Sequence, residues 1–141
     1  PPHPPIPDPL WSRGLGDVYK RQKYGGKGGS IVNLSSGAAK YGSPGEYVDY
    51  AASKAAIDTL TIGLAREVAE EGIRVNAVRP GFIDTEIHQS GGEPDRMERV
   101  RPLVPMKRVG QAEEVADAIM WLLSDKASYT TGTILDVSGG R

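Results

Sequence analysis

The sequence contains no cysteine, which excludes disulfides and thiolate metal sites and fits a reducing compartment. It has only two histidines, His3 and His88, far apart and in unlike segments, which argues against a histidine metal site; no metal is expected. No apolar run approaches the ~18 residues of a membrane span, and the first residues lack the apolar region of a signal peptide. The formal charge of -1 gives no electrostatic footprint for nucleic acid or an acidic membrane surface. The expectation is a cytoplasmic protein that binds neither. Its 141 residues suffice for one domain with a modest core.

What is present begins at the N-terminus with proline. Six prolines fall within the first nine residues, PPHPPIPDP, which can form neither a helix nor a central strand. LWSRGLGDVYKRQ has no clear period, and residues 1–22 are expected to be a disordered or non-native tail. YGGKGGS (24–30) is glycine-rich but leads into a strand, whereas a phosphate-cradling loop needs a helix after its glycines. SIVNLS (30–35) is a short, partly β-branched apolar run and reads as a buried strand. The next ten residues, to Gly45, read as loop.

The longest regular stretch is EYVDYAASKAAIDTLTIGLAREVA, 46–69, expected as one amphipathic helix with Ala52, Ala56, Leu60, Leu64 and Val68 along its inner side. Gly72 suits a left-handed helix cap. IRVNAV (73–78) reads as a second buried strand closed by Pro80-Gly81. Strand, helix, strand with one helix between is a parallel crossover unit. Residues 84–108 are polar and interrupted by GGEP (91–94), and read as a mobile lid with one or two short helical turns. Residues 111–124 predict an amphipathic helix with Val115, Ala118, Ile119 and Leu122 inward, and TILDV (133–137) a last strand.

In open parallel sheets, ligands sit beyond the carboxyl ends of the strands. Ser35-Ser36 ends the first strand, and Pro80-Gly81-Phe82-Ile83-Asp84-Thr85 ends the second. Tyr50 and Lys54 lie one turn apart near the start of the connecting helix. A tyrosine ordinarily titrates near ~10, and a nearby lysine cation favours the phenolate. A hydroxyl, a phenol and an ammonium at one sheet edge suit a carbonyl reduction in which serine orients the oxygen, tyrosine exchanges the proton and lysine tunes the tyrosine. Asn33 and Asn76 are expected to satisfy loop backbone beside the strands. Tyr47 and Asp49 read as exposed helix-start residues.

IVNLSS, then YAASKAA, then GIRVNAVRPGFIDTEI, then TGTILDVSGG together resemble the second half of a short-chain dehydrogenase/reductase, over about residues 23–141. GSPGEYVDYAASKAA and HQSGGEPDRMERV resemble a bacterial subgroup described as glucose-dehydrogenase-like or simply as oxidoreductases. The resemblance implies catalytic Ser36, Tyr50 and Lys54. It also implies a nicotinamide site of Tyr50, Lys54, Pro80, Gly81, Ile83 and Thr85, where Thr85 could also cap a helix. The implied cofactor is NAD or NADP, and the implied substrate a small carbonyl or secondary alcohol. The implied assembly is a homodimer or homotetramer packed through the helix that carries Tyr50, where Ala51, Ala55 and Ala56 would permit close approach. The implied fold is α/β, the C-terminal portion of a Rossmann-like doubly wound parallel sheet in three αβα layers.

The family's Thr-Gly-x-x-x-Gly-x-Gly loop, its Asn-Asn-Ala-Gly strand end and its catalytic asparagine do not occur here. The resemblance therefore implies a domain whose N-terminal half is missing, with 23–141 as its C-terminal half, and a fragment inactive by itself. The competing expectation, from another class, is a non-catalytic remnant that only associates with partners through sheet edges and helix faces. The absent adenosine side of the cofactor site is the feature that discriminates between the two.

Overall fold

The structure, a computed structural model, describes residues 28–85 and 96–141. The tail expected over 1–22, most of the glycine turn at 24–28 and the interruption at 91–94 lie outside the described residues.

Strand β1 (Gly29–Leu34) pairs in parallel with β2 (Ile73–Pro80), Gly29 opposite Ile73 and Leu34 opposite Val78. β2 pairs in parallel with the last strand, β5 (Ile134–Val137), giving the order β1-β2-β5. This is the sequential parallel sheet that the crossover pattern predicts. β2 runs two residues beyond its predicted end because Pro80 still lies opposite Val137, and its carbonyl accepts the Gly37 N–H at 2.9 Å. At the other end of the sheet, Gly72 (φ 71°) caps the crossover helix as expected. Its carbonyl leaves no room for a Cβ at Gly28 (φ 71°), which would sit 2.8 Å from it.

Two helices cover the sheet. Between β1 and the long helix, residues 36–45 are not all loop: α1 (Ala38–Tyr41) is one helical turn. The Ser36 hydroxyl accepts the Ala38 N–H at 3.2 Å and starts it, and left-handed Gly42 (φ 74°) stops it. Helix α2 (Val48–Val68) follows and tightens into a 3-10 turn at Ala69–Glu71. β3 (Ile83–Asp84) pairs with β4 (Gly110–Gln111) and brings together the two ends of the segment 84–108. Between them, α3 (Arg96–Val100) and a 3-10 turn (Arg101–Leu103) supply the short helical turns expected there. Val100, Val104 and Val109 are buried and anchor this part of the chain. Helix α4 (Ala112–Leu123) starts in a capping box between Gln111 and Glu114 and buries Val115 and Leu122, as its period predicts.

Side-chain parity assigns the layers, because successive strand residues face opposite sides. Ile31, Ile73 and Val75 pack with Leu64, Ala65 and Val68 of α2. The alternate residues Ser30 and Arg74 donate to the Leu122 carbonyl of α4, at 3.1 and 2.7 Å. The helices therefore lie on opposite faces, in three layers. The inner side of α2 differs from the expected stripe. Ala51, Asp58, Thr61, Ala65 and Val68 are buried, whereas Ala52, Ala56 and Leu60 are exposed. Leu64 and Val68 of the expected stripe do pack on the sheet, but the sheet offers polar as well as aliphatic groups at this interface, so a count of apolar residues alone misplaces the rest of the inner side.

Among the described residues, no helix is long and apolar enough to cross a membrane.

Candidate functional site

β1 ends at Leu34, whose carbonyl accepts a hydrogen bond from the Lys54 ammonium at 3.0 Å. The same strand end is tied to α2 a second time, by the Ser35 hydroxyl donating to the Lys54 carbonyl at 3.2 Å. Lys54 is thus held at both its backbone and its side chain. Its ammonium lies 5.7 Å from the centre of the Tyr50 ring, one turn nearer the helix start. Tyr50 is 45% exposed, so its phenol is open to a ligand.

The two adjacent serines have different surroundings. Ser35 is 3% exposed and committed to the helix backbone. Ser36 is half-buried and starts the α1 turn, with its hydroxyl accepting from Ala38. Of the pair, Ser36 keeps a hydroxyl proton that no described group takes.

The segment after β2 is locked to both neighbours. Pro80 accepts from Gly37, and the Gly81 N–H donates to the Val137 carbonyl at 2.9 Å. A Cβ on Gly81 would sit 2.8 Å from the Ser138 Cα, so only glycine fits here without a backbone shift. Ile83 lies in β3, and Thr85 is exposed at the edge of the described residues. The residues that follow Thr85, on which its expected capping role depends, lie outside them. Tyr47 and Asp49 are exposed, as expected. The Asn76 side chain donates to Thr130 and accepts from Thr133, again as expected. Asn33 instead donates to the Thr61 hydroxyl of α2 at 2.9 Å, so its partner is a helix side chain and not loop backbone.

A chain of charges runs beneath these elements. Arg79 grips one oxygen of Asp58 through Nε and Nη2, at 2.9 and 2.8 Å, and approaches Asp136 at 3.5 Å. Asp136 accepts from Lys40 at 3.1 Å, and that hydrogen bond raises the Lys40 pKa. Asp58 follows Lys54 by one turn, a spacing legible in the sequence, but its partner Arg79 comes from β2 and had no sequence signal. A cavity of about 490 Å³ is bordered by Lys40, Phe82, Ile83, Met106, Arg108 and Arg141. Ser36, Tyr50 and Lys54 do not line it, so it adjoins the segment after β2 without containing the predicted catalytic groups. Among the described residues, no group of acidic or histidine side chains could hold a metal ion.

The profile of the enoyl-(acyl carrier protein) reductase group of short-chain dehydrogenases matches residues 18–141. The chain belongs to the short-chain dehydrogenase/reductase family. It is 70% identical over 119 residues to the uncharacterized oxidoreductase YgfF of Escherichia coli K12, covering 84% of this chain and 48% of that protein. It is 46% identical over 114 residues to the 3-oxoacyl-[acyl-carrier-protein] reductase FabG of Thermotoga maritima, covering 81% and 46%. It is 42% identical over 113 residues to human (3R)-3-hydroxyacyl-CoA dehydrogenase, covering 79% and 42%. The chain spans about half the length of the curated relatives it matches. Within the family, this stretch is α/β with a parallel sheet.

Proposed function

We propose that this chain is the catalytic half of a cytoplasmic NAD(P)-dependent oxidoreductase that interconverts a carbonyl and a secondary alcohol. The observation that carries the reading is the Tyr50–Lys54 pair, anchored on the Leu34 carbonyl beside Ser36. Bound NAD(P) would supply or accept the hydride. Lys54 and the segment containing Pro80, Gly81, Ile83 and Thr85 fit its nicotinamide end. The Lys54 ammonium has three N–H donors and gives one to Leu34, which leaves donors for ribose hydroxyls. Among the described residues no glycine-rich turn leads from a strand into a helix to hold a pyrophosphate, so these residues offer only the nicotinamide side.

In the reducing direction, Ser36 donates a hydrogen bond to the substrate oxygen and fixes its place. Tyr50 gives its phenolic proton to that oxygen, and the carbonyl becomes a secondary alcohol. The Lys54 cation stabilises the phenolate that remains, through the short path that the helix turn imposes. The reverse direction uses the same groups with Tyr50 as base.

The test uses the complete enzyme that carries this segment. Tyr50→Phe keeps the ring and removes the proton. Turnover should fall by at least ~10²-fold, the lower range for a positioned acid–base group, while NAD(P)H affinity is retained. Near-normal turnover in that variant refutes the role of Tyr50. A complete protein with no turnover on any carbonyl, but with intact self-association, favours a purely associative role.

A further inference from the structure

We propose that Arg141 is a positioning residue that clamps the turn after Ser36 to the segment after β2, and so holds together the two walls of the site. Its relevance to catalysis rests on the proposed function.

The guanidinium of Arg141 lies 4.6 Å from the centre of the Phe82 ring and 5.3 Å from that of Tyr41. Tyr41 ends α1, the turn that Ser36 starts. Phe82 follows Gly81 in the segment proposed for the nicotinamide. One planar cation therefore bridges the two. Nη1 is buried and has no hydrogen-bond partner, so the ring faces replace the acceptors that a buried guanidinium normally takes. Arg141 also makes no ion pair among the described residues. Asp136 is taken by Lys40 and Arg79, and Glu114 by Arg108.

The backbone that delivers Arg141 is itself wedged. Ser138 Oγ donates to the Arg141 carbonyl at 2.7 Å. Gly139 (φ 65°) donates no space to a side chain, since a Cβ there would sit 2.8 Å from Val104 Cγ1. Its carbonyl accepts the Met106 N–H at 3.1 Å. The segment 138–141 thus touches the base of the lid at 104–106, the residue after β2 and the ring of Tyr41. Among the described residues, the other direct tie between the two walls is the hydrogen bond from Gly37 N–H to the Pro80 carbonyl. Removing the guanidinium leaves the sheet intact but loosens both walls.

The experiment compares Arg141→Ala and Arg141→Lys with wild type in the complete enzyme. The readouts are kcat and KM for the nicotinamide cofactor, recovery on adding millimolar guanidinium ion, and amide hydrogen exchange at Gly37 and Gly81. The alanine variant should lose on the order of tenfold in kcat/KM, the scale of a desolvated cation–ring contact. Guanidinium ion should restore part of that loss, and lysine, which lacks the planar group, should fall between. Exchange at Gly37 and Gly81 should quicken while the β1–β2 amides stay protected. Unchanged kinetics together with unchanged exchange overturns the clamp, and so does a loss that guanidinium does not relieve with exchange unaltered. A wild-type enzyme without turnover refutes the function alone, and exchange at the two glycines then decides the clamp. If the alanine variant does not fold, the lysine variant decides by the same readouts.

Discussion

Replacing Asp58 by leucine should destabilise the complete protein by about 3 kcal/mol, and replacing Arg79 by methionine as well should restore most of that loss. Asp58 is only 6% exposed, and its carboxylate takes two N–H bonds from Arg79, whose side chain is 21% exposed. Breaking a buried pair costs ~3–5 kcal/mol because one charge is left without compensation. Here the stranded guanidinium retains Asp136 at 3.5 Å, which places the single substitution at the lower end. The second oxygen of Asp58 is buried with no partner, so the carboxylate carries an unrecovered desolvation cost in the native state. The double variant removes both the stranded charge and the orphaned oxygen, and should lie within about 1 kcal/mol of wild type. Urea unfolding followed by circular dichroism measures both, with equal slopes required for the comparison. A leucine variant as stable as wild type would mean that the pair is not desolvated as described. A double variant no better than the single would place the loss in packing and sink the electrostatic account.

The Arg108 guanidinium and the Gln111 N–H hold the Glu114 carboxyl down to about 2, from an ordinary value of 4.5. The stabilisation is therefore fully present above about 4.5 and is lost as pH falls toward about 2; Glu114→Gln should flatten stability across that window, and a carboxyl NMR titration with a midpoint near 4.5 would refute it. Residues 23–141 expressed alone should bind neither NADH nor NADPH tightly, as read by calorimetry beside a thermal melt; a cooperative melt with low-micromolar binding overturns that reading. The complete enzyme should be a dimer or tetramer by light scattering at micromolar concentration, with exposed Ala56 and Leu60 of α2 in the contact, and a monomer there counts against it.

The order of motifs was enough to place the sheet. Two β-branched runs flank one long helix and fix a parallel crossover, and the cap at Gly72 follows from glycine's access to positive φ. The site was legible to the extent that it is local: Tyr50 and Lys54 share a helix face, and Ser36 sits at a strand end. Its supports were not, because they cross between elements. Asp58 meets Arg79 only after the crossover has folded, and Arg141 meets Tyr41 only once β5 is docked. The turn at α1 was hidden by glycines on both sides, which elsewhere mark loops. The β3–β4 pair has two residues per strand, too few for a period to register.

The polar part of the inner face of α2 also explains how the candidate site keeps its place. A helix packed on a sheet by aliphatic contacts alone can slide or turn at small cost, since such contacts are non-directional. This one buries Asp58 and Thr61, and each meets a specific strand side chain, Arg79 and Asn33. A shift by one turn would part Asp58 from Arg79 and Asn33 from Thr61, whose hydroxyl keeps only its bond to the Ile57 carbonyl, with a penalty of ~1–3 kcal/mol per unsatisfied group. The polar pairs therefore set the register of the helix against the sheet more sharply than the valines and alanines do. Lys54 stands one turn before Asp58 and Tyr50 one turn before Lys54, so the register fixed at Asp58 is carried along the helix to the sheet edge. There the Leu34 carbonyl and the Ser35 hydroxyl meet Lys54.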